Sequence, residues 1–117
     1  MTLKTKVQIE ITPKQICDLF TTAVEGGSTY WCSKMRFYQN AAEVSYQEAS
    51  SFEGRNWCVK VWAEDDDENP HTIILDDFLR ACEALPSRFL NLITEVYDAE
   101  DTDCLVQQAA FGEITYG

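Results

Sequence analysis

Hydrophobic and polar residues alternate along residues 4–11, and the apolar positions then change to a helical period. The alternation predicts a half-buried strand, and the helical period predicts an amphipathic helix. Thr12 suits the N-cap of that helix and Pro13 its first turn, while Gly26 and Gly27 suit its C-cap. The apolar positions of the helix are Ile16, Leu19, Phe20, Ala23 and Val24.

The middle of the chain favours strands. Residues 56–63 alternate and are rich in aromatic and β-branched side chains, which predicts a strand. Shorter strands are predicted at 43–46 and 72–75, with a turn at 50–55. Residues 28–38 contain several aromatic side chains without a clear period and are predicted to form a loop that leads into a strand.

Helical spacing dominates the last third of the chain. Residues 75–85 predict one helix, and Pro86 separates it from a second helix that Ser87 can cap. A third helix is predicted to end at Gly112, before a short tail that can add an edge strand. This order predicts a single α+β domain, residues 1–117, with a small antiparallel sheet, one N-terminal helix and a helical C-terminal third.

Charge divides the chain into two unlike halves. Residues 1–60 carry seven basic and six acidic side chains, whereas residues 61–117 carry fourteen acidic side chains and only Arg80 and Arg88 as bases. Phosphate contacts need Lys and Arg, so we expect no direct nucleic-acid binding. The acidic half favours a protein partner with a basic surface, or simply solubility.

Five cysteines and one histidine limit the expected chemistry. The cysteine count is odd, no CxxC pair is present, and the N-terminus lacks an apolar signal segment. We therefore expect buried free thiols in a cytoplasmic protein with no membrane span, metal site or cofactor. His71 lies in no catalytic motif, so we expect no enzyme. The cysteines are Cys17, Cys32, Cys58, Cys82 and Cys104.

A glycine pair followed by aromatic residues is the first candidate binding segment. Glycines let a backbone approach a ligand closely, and aromatic rings can stack on a base or a peptide. The alternative interpretation is structural, a helix C-cap followed by core aromatics. A phosphate site is disfavoured, because the glycines follow a helix rather than precede one. The candidate residues are Gly26, Gly27, Ser28, Tyr30 and Trp31.

An unbroken acidic run is the second candidate, within a predicted turn at 64–70. It lacks the alternating ligands and the internal glycine of a calcium loop. It is therefore interpreted either as a solvated turn or as a patch that mimics phosphate charge in a basic groove. The residues of the run are Glu64, Asp65, Asp66, Asp67 and Glu68.

A second acidic cluster consists of Asp98, Glu100, Asp101 and Asp103, and the first three are candidate binding residues. Some of these carboxylates can cap the third helix, which is predicted to start at Asp101 or Thr102, and they would favour its dipole there. Paired carboxylates can also hold a divalent ion, but the sequence does not fix their distances in space.

Three segments together resemble a known set of proteins. EGGSTYW at residues 25–31, DAEDTD at 98–103 and the terminal FGEITYG are similar to segments of small uncharacterised proteins encoded by tailed bacteriophages. The similarity covers both ends of the chain and leaves about residues 32–75 unmatched. The resemblance implies a phage origin and expression in a bacterial cytoplasm, and it supplies no catalytic residues.

Three hypotheses for function follow, in this order of preference. The first is a non-enzymatic phage accessory protein whose acidic surface binds and inhibits a bacterial host factor, either a defence protein or a nucleic-acid-handling protein. The second is a small-molecule binder that sequesters a nucleotide immune signal, and the third is a metal-dependent enzyme. Self-association is left open. Arginines available to a nucleotide site are Arg36, Arg55, Arg80 and Arg88.

Overall fold

The computed structural model describes residues 8–117 as a four-stranded antiparallel sheet combined with four α-helices. The predicted α+β class, with an N-terminal helix and a helical C-terminal third, is confirmed. The strands, in the spatial order β2-β1-β3-β4, are β1 (Cys32–Gln39), β2 (Ala42–Glu43), β3 (Trp57–Ala63) and β4 (Asp66–Ile74). The helices are α1 (Pro13–Thr22), α2 (Leu75–Ala84), α3 (Pro86–Ile93) and α4 (Ala99–Phe111).

The first helix begins as the sequence predicts. The Thr12 hydroxyl accepts a hydrogen bond of 3.2 Å from the Gln15 backbone N–H, and Gln15 Oε1 accepts one of 2.9 Å from the Thr12 N–H. These reciprocal bonds satisfy two N–H groups that a helix start otherwise leaves unpaired. Pro13 fits the first turn because it has no N–H to satisfy.

A single π-helical turn, Ala23–Gly27, continues the chain after α1. It is closed by a 3.0 Å hydrogen bond from the Ser28 N–H to the Ala23 carbonyl oxygen. The helical segment therefore ends at the glycine pair, as predicted. The left-handed C-cap conformation, however, occurs at Gly112 after α4, where φ is +76°, and at neither glycine of the pair.

Alternation along the strands sorts the sheet into two faces. The odd-numbered residues of β3 are buried and face the helices, while the residues between them are half-buried on the opposite side. From α1, the fully buried ring of Phe20 packs into the centre of this core with ring-centroid distances of 5.5 to 6.3 Å. Its aromatic neighbours are Phe37, Phe52, Trp57 and Phe78.

Two helix starts differ from the predictions. Asp98 caps α4 through a 2.8 Å bond from the Asp101 N–H, so the helix begins at Ala99 rather than with Asp101 or Thr102 as its start. The sequence offered several adjacent oxygen-bearing side chains, and only the backbone conformation selects among them. Helix α3 begins at Pro86, so Ser87 lies inside its first turn and does not cap it.

The terminal strand predictions are not met within the described residues. Residues 1–7 lie outside them, and residues 8–11 form no strand although they continue the alternating pattern. The tail at 113–117 is irregular rather than an edge strand. Alternation fixes which side chains share a face, but a strand also needs a neighbouring strand to pair with, and these segments have none in the described sheet.

The acidic turn is shorter than predicted, and the strand after it is longer. Only Glu64 and Asp65 form the turn, and β4 already starts at Asp66, whereas the sequence predicted the turn over 64–70. Pro70 is tolerated inside β4 because β4 is the edge strand and its pairing is irregular there. Asp66 pairs with Ala63 and the next paired residue of β4 is His71, so β4 begins within the acidic run despite its low strand propensity.

Candidate functional site

A buried carboxylate connects the glycine–aromatic segment to α4. Asp103 is 5% exposed, and its two oxygens accept four hydrogen bonds. Oδ1 accepts 2.7 Å bonds from the Ser28 hydroxyl and from Trp31 Nε1. Oδ2 accepts bonds from the Tyr30 hydroxyl at 2.5 Å and from Gln107 Nε2 at 2.9 Å. All four donors are uncharged, so their dipoles solvate the carboxylate in place of water.

The same helix holds the C-terminal tail through Gln107, which is fully buried. Gln107 Oε1 accepts hydrogen bonds from the backbone N–H groups of Thr115 at 2.9 Å and Tyr116 at 2.8 Å. Its Nε2 donates to the Tyr116 carbonyl oxygen at 3.0 Å. We call Asp103, Gln107 and their donors the polar junction. The sequence analysis assigned Gln107 no role, although its i+4 position relative to Asp103 places both on one helix face.

The hydroxyl of Tyr30 is held by hydrogen bonds, whereas its aromatic ring is exposed to solvent. Burial and the hydrogen bond to Asp103 raise the pKa of Tyr30 to about 12, so the phenol stays protonated across the physiological range. The side chain as a whole is nevertheless 54% exposed. The polar junction therefore orients an aromatic ring that solvent, or a partner, can reach.

A cleft of about 300 Å³ lies beside this ring. The rings of Trp31 and Tyr116 stack there with centroids 5.3 Å apart and planes 2° from parallel. The Tyr116 hydroxyl donates a 3.0 Å bond to Asp65, and burial together with this bond raises the pKa of Tyr116. We name it the aromatic–acidic cleft, and its lining side chains include those of Tyr30, Trp31, Glu64, Asp65 and Tyr116.

The two glycines of the predicted binding segment have different surroundings. A Cβ added at Gly27 would lie 3.1 Å from the Ala99 carbonyl oxygen and 3.2 Å from Thr102 Oγ1, so Gly27 allows the π-helical turn to approach the start of α4. At Gly26 nothing lies within 4 Å of such an atom. Gly27 thus has a packing role between the π-helical turn and α4, which differs from the predicted C-cap, while Gly26 lies on the exposed surface.

The second acidic cluster is largely occupied by contacts within the chain. Asp101 is 2% exposed and accepts hydrogen bonds from Arg88 Nη1 at 2.8 Å and Asn91 Nδ2 at 3.1 Å. Burial alone would raise the pKa of Asp101, but these bonds and the Asp98 backbone N–H outweigh it and lower the pKa below its usual range. Glu100 is exposed and lies 3.4 Å from Arg88 Nη2.

The acidic run, in contrast, stays free of ion pairs. All five residues from Glu64 to Glu68 are exposed, and within residues 8–117 none of them lies within 4.0 Å of a Lys or Arg nitrogen. Asp65 contacts Tyr116, and Asp66 accepts a 3.1 Å bond from Asn69. We call these five residues the acidic segment. They carry concentrated charge that nothing in the described chain neutralises.

The residues considered for a nucleotide site do not come together. Tyr30 and Trp31 lie beside Glu64 and Asp65, and the described cleft contains no arginine. Each of the four candidate arginines instead forms an ion pair elsewhere. The pairs are Arg36 with Glu43, Arg55 with Asp76, Arg80 with Asp77, and Arg88 with Asp101 and Glu100.

The surroundings of the cysteines and of His71 indicate packing rather than reactivity. All five cysteines are free, and burial raises the pKa of Cys82 to about 12, which leaves it an unreactive thiol at neutral pH. His71 packs edge-on against Phe111 with ring centroids 4.7 Å apart. Within the part of the chain that the structure describes, no group of three or more His, Cys, Asp or Glu residues could hold a metal ion.

Fold and site together define a small α+β domain with a buried polar junction and an exposed, unneutralised acidic segment. No protein-family model matches the chain, and no curated protein or solved structure is significantly similar to it. None of the helices in residues 8–117 is long and apolar enough to cross a membrane.

Proposed function

We propose that the protein is a non-enzymatic binding domain that recognises a basic surface of a partner protein through its acidic segment. The observation that carries this proposal is the contrast between the two acidic clusters. Asp101 in the second cluster is buried and paired, whereas the acidic segment keeps five exposed charges without a cation. Such a concentration of charge accelerates association with a basic partner and selects against acidic ones.

The aromatic–acidic cleft gives this surface an anchoring point. The exposed ring of Tyr30 and the carboxylates of Glu64 and Asp65 line one cleft. A lysine or arginine side chain of the partner can meet an aromatic face and a carboxylate there at once, which combines a cation–π contact with an ion pair. Because the polar junction fixes Tyr30, little side-chain freedom is lost when the cation enters.

The resemblance to small phage-encoded proteins leads us to propose a bacterial host factor as the partner. A defence protein or nucleic-acid-handling protein with a basic groove fits the acidic segment, because closely spaced carboxylates can take the place of phosphates there. Occupying such a groove would inhibit the host protein by excluding its nucleic acid.

The proposal can be tested with a labelled octapeptide of alternating lysine and arginine as the probe. We expect binding at 25 mM salt that weakens at least tenfold at 300 mM, because exposed ion pairs are screened beyond about 8 Å at physiological ionic strength. Neutralising the acidic segment to Gln and Asn should remove most of this binding. Replacing Tyr30 with Ala should weaken it severalfold.

A matched control removes five other exposed charges. Its substitutions are Glu10→Gln, Glu25→Gln, Glu48→Gln, Glu53→Gln and Glu83→Gln, at positions where the described chain forms no ion pair. Net charge then changes equally in both variants, so only the position of the charge differs. Equal loss of peptide binding in the two variants, or binding that does not depend on salt, would overturn the proposal.

A further inference from the structure

The sheet has a second face on which none of the helices in residues 8–117 packs. On β1 this open face carries Lys34, Arg36 and Tyr38, and on β3 it carries Lys60 and Trp62, because these residues pair across the two strands with alternating orientation. Their neighbours on the opposite face are the buried core residues. Lys34 and Arg36 are exposed, and Tyr38, Lys60 and Trp62 are half-buried.

The basic residues of this face differ from the others in the described chain. Five of the seven lysines and arginines in residues 8–117 form an ion pair with a carboxylate, and the two that do not are Lys34 and Lys60. Arg36, between them, is held by Glu43 at 3.0 Å. In a protein with net charge −11, the two cations of residues 8–117 that no carboxylate neutralises thus lie on one sheet face.

Each of these lysines lies over an aromatic ring. Lys34 Nζ is 4.2 Å from the ring centroid of Trp62, and Lys60 Nζ is 5.5 Å from that of Tyr38. Trp62 pairs with Lys34, and Tyr38 lies four residues further along β1, so the rings are about 13 Å apart along the strands. The paired Arg36 and Lys60 lie between the two rings.

We propose that this open face is a binding site for a short single-stranded nucleic acid. Two unpaired bases would stack on Trp62 and Tyr38, which any base can do because every base has a π-face. The ammonium groups of Lys34 and Lys60, which now cover the rings, would move to the phosphates between the bases. An acidic polypeptide would satisfy the lysines but would leave the two rings without a stacking partner.

The negative charge of the rest of the protein limits the affinity of this face for a nucleic acid. The sequence-based expectation of no direct nucleic-acid binding rested on residues 61–117, whereas most of this face comes from β1 and β3. The acidic segment begins two residues after Trp62 and repels a strand that extends past that end. We therefore expect weak binding of a few nucleotides, with a salt slope of about −1.4 for two phosphate contacts.

The test uses a labelled six-nucleotide thymidylate as the probe, titrated at 25 mM salt and followed by fluorescence anisotropy. The double variant Lys34→Gln with Lys60→Gln is compared with Lys14→Gln with Arg80→Gln, which removes two exposed, ion-paired cations elsewhere and changes net charge equally. Trp62→Leu removes one stacking ring but keeps an apolar side chain. A labelled hexaglutamate peptide tests the acidic-polypeptide alternative.

We expect thymidylate binding to fall at least tenfold in the Lys34/Lys60 variant and in Trp62→Leu, and less than twofold in the Lys14/Arg80 variant. Circular dichroism of each variant checks that it is folded. The inference is overturned if thymidylate does not bind the native protein, or if both double variants lose binding equally. Hexaglutamate that binds as tightly as thymidylate would also overturn it and would assign the face to an acidic protein.

Discussion

The carboxylate of Asp103 accepts a 2.7 Å hydrogen bond from the indole nitrogen of Trp31, 72 residues earlier in the chain. Both groups are buried, so the bond is shielded from competition by water. This carboxylate joins the segment after α1 to helix α4, and Gln107 joins the same helix to the C-terminal tail. Residues from three segments of the chain, 25–31, 98–103 and 111–117, therefore meet at one place in the structure, around Asp103 and Gln107.

Replacing Asp103 with Asn should destabilise the fold by about 2–4 kcal/mol, because an amide nitrogen would then face hydrogen-bond donors inside the core. Urea unfolding, followed by tryptophan fluorescence, measures this change in the free energy of unfolding. Glu113→Gln makes the same chemical change at an exposed position and should cost less than about 0.5 kcal/mol. A loss below about 1 kcal/mol in Asp103→Asn would contradict the importance of the polar junction.

The glycine pair offers a comparison between adjacent positions. Gly27→Ala should destabilise the protein by about 1–3 kcal/mol, since its Cβ would press against the Ala99 carbonyl and Thr102 and force the π-helical turn away from α4. Gly26→Ala should change stability by less than about 0.5 kcal/mol, because the new methyl group meets open space. Thermal unfolding of the two variants measures this difference. Equal losses of stability in both variants would contradict a packing role that is specific to Gly27.

Acid unfolding should reveal the Arg88–Asp101 pair. The pKa of Asp101 is lowered in the folded protein, so its stabilisation is present above the ordinary aspartate pKa and is lost as the pH falls through the folded value. Arg88→Met should cost about 1–2 kcal/mol at pH 7, with a difference from the native protein that shrinks below about pH 4. A difference that persists unchanged at pH 2 would show that lost packing, not the ion pair, is responsible.

The matched control for this experiment is Arg80→Met. Arg80 is largely exposed and pairs with Asp77, so removing it should cost less than about 1 kcal/mol at pH 7. Urea unfolding of both variants over a series of pH values gives the comparison directly. Equal costs for the two arginines would contradict the assignment of Asp101 as the buried partner that needs its cation.

Sequence reasoning succeeded where one local pattern determines the structure. The Thr12 N-cap and the alternation of β3 depend on neighbours within a few residues, and both appear as predicted. It failed where the structure of a segment depends on pairing with a segment that is distant in the sequence. Asp66 pairs with Ala63 of β3 where the sequence predicted a turn, and the alternating residues 8–11 have no strand partner in the described sheet.

The candidate site shows the same division. The sequence placed Ser28, Tyr30 and Trp31 in one candidate segment, but it could not show that all three donate hydrogen bonds to the buried carboxylate of Asp103. For each acidic cluster it left a structural and a functional interpretation open, and it could not show which cluster stays exposed. Burial distinguishes them, because a carboxylate that leaves water must find hydrogen-bond donors, whereas an exposed one remains available to a partner.

By itself the sequence determined the α+β class, the helix and strand periods, and the concentration of acidic charge in residues 61–117. These are properties of composition and short-range spacing. Only the tertiary structure decided which carboxylates are buried in hydrogen bonds and which face solvent. It also decided that Lys34 and Lys60 contact aromatic rings on the open face of the sheet. Such relationships join residues that are far apart in the chain, and they exist only after strand pairing and helix packing have placed them together.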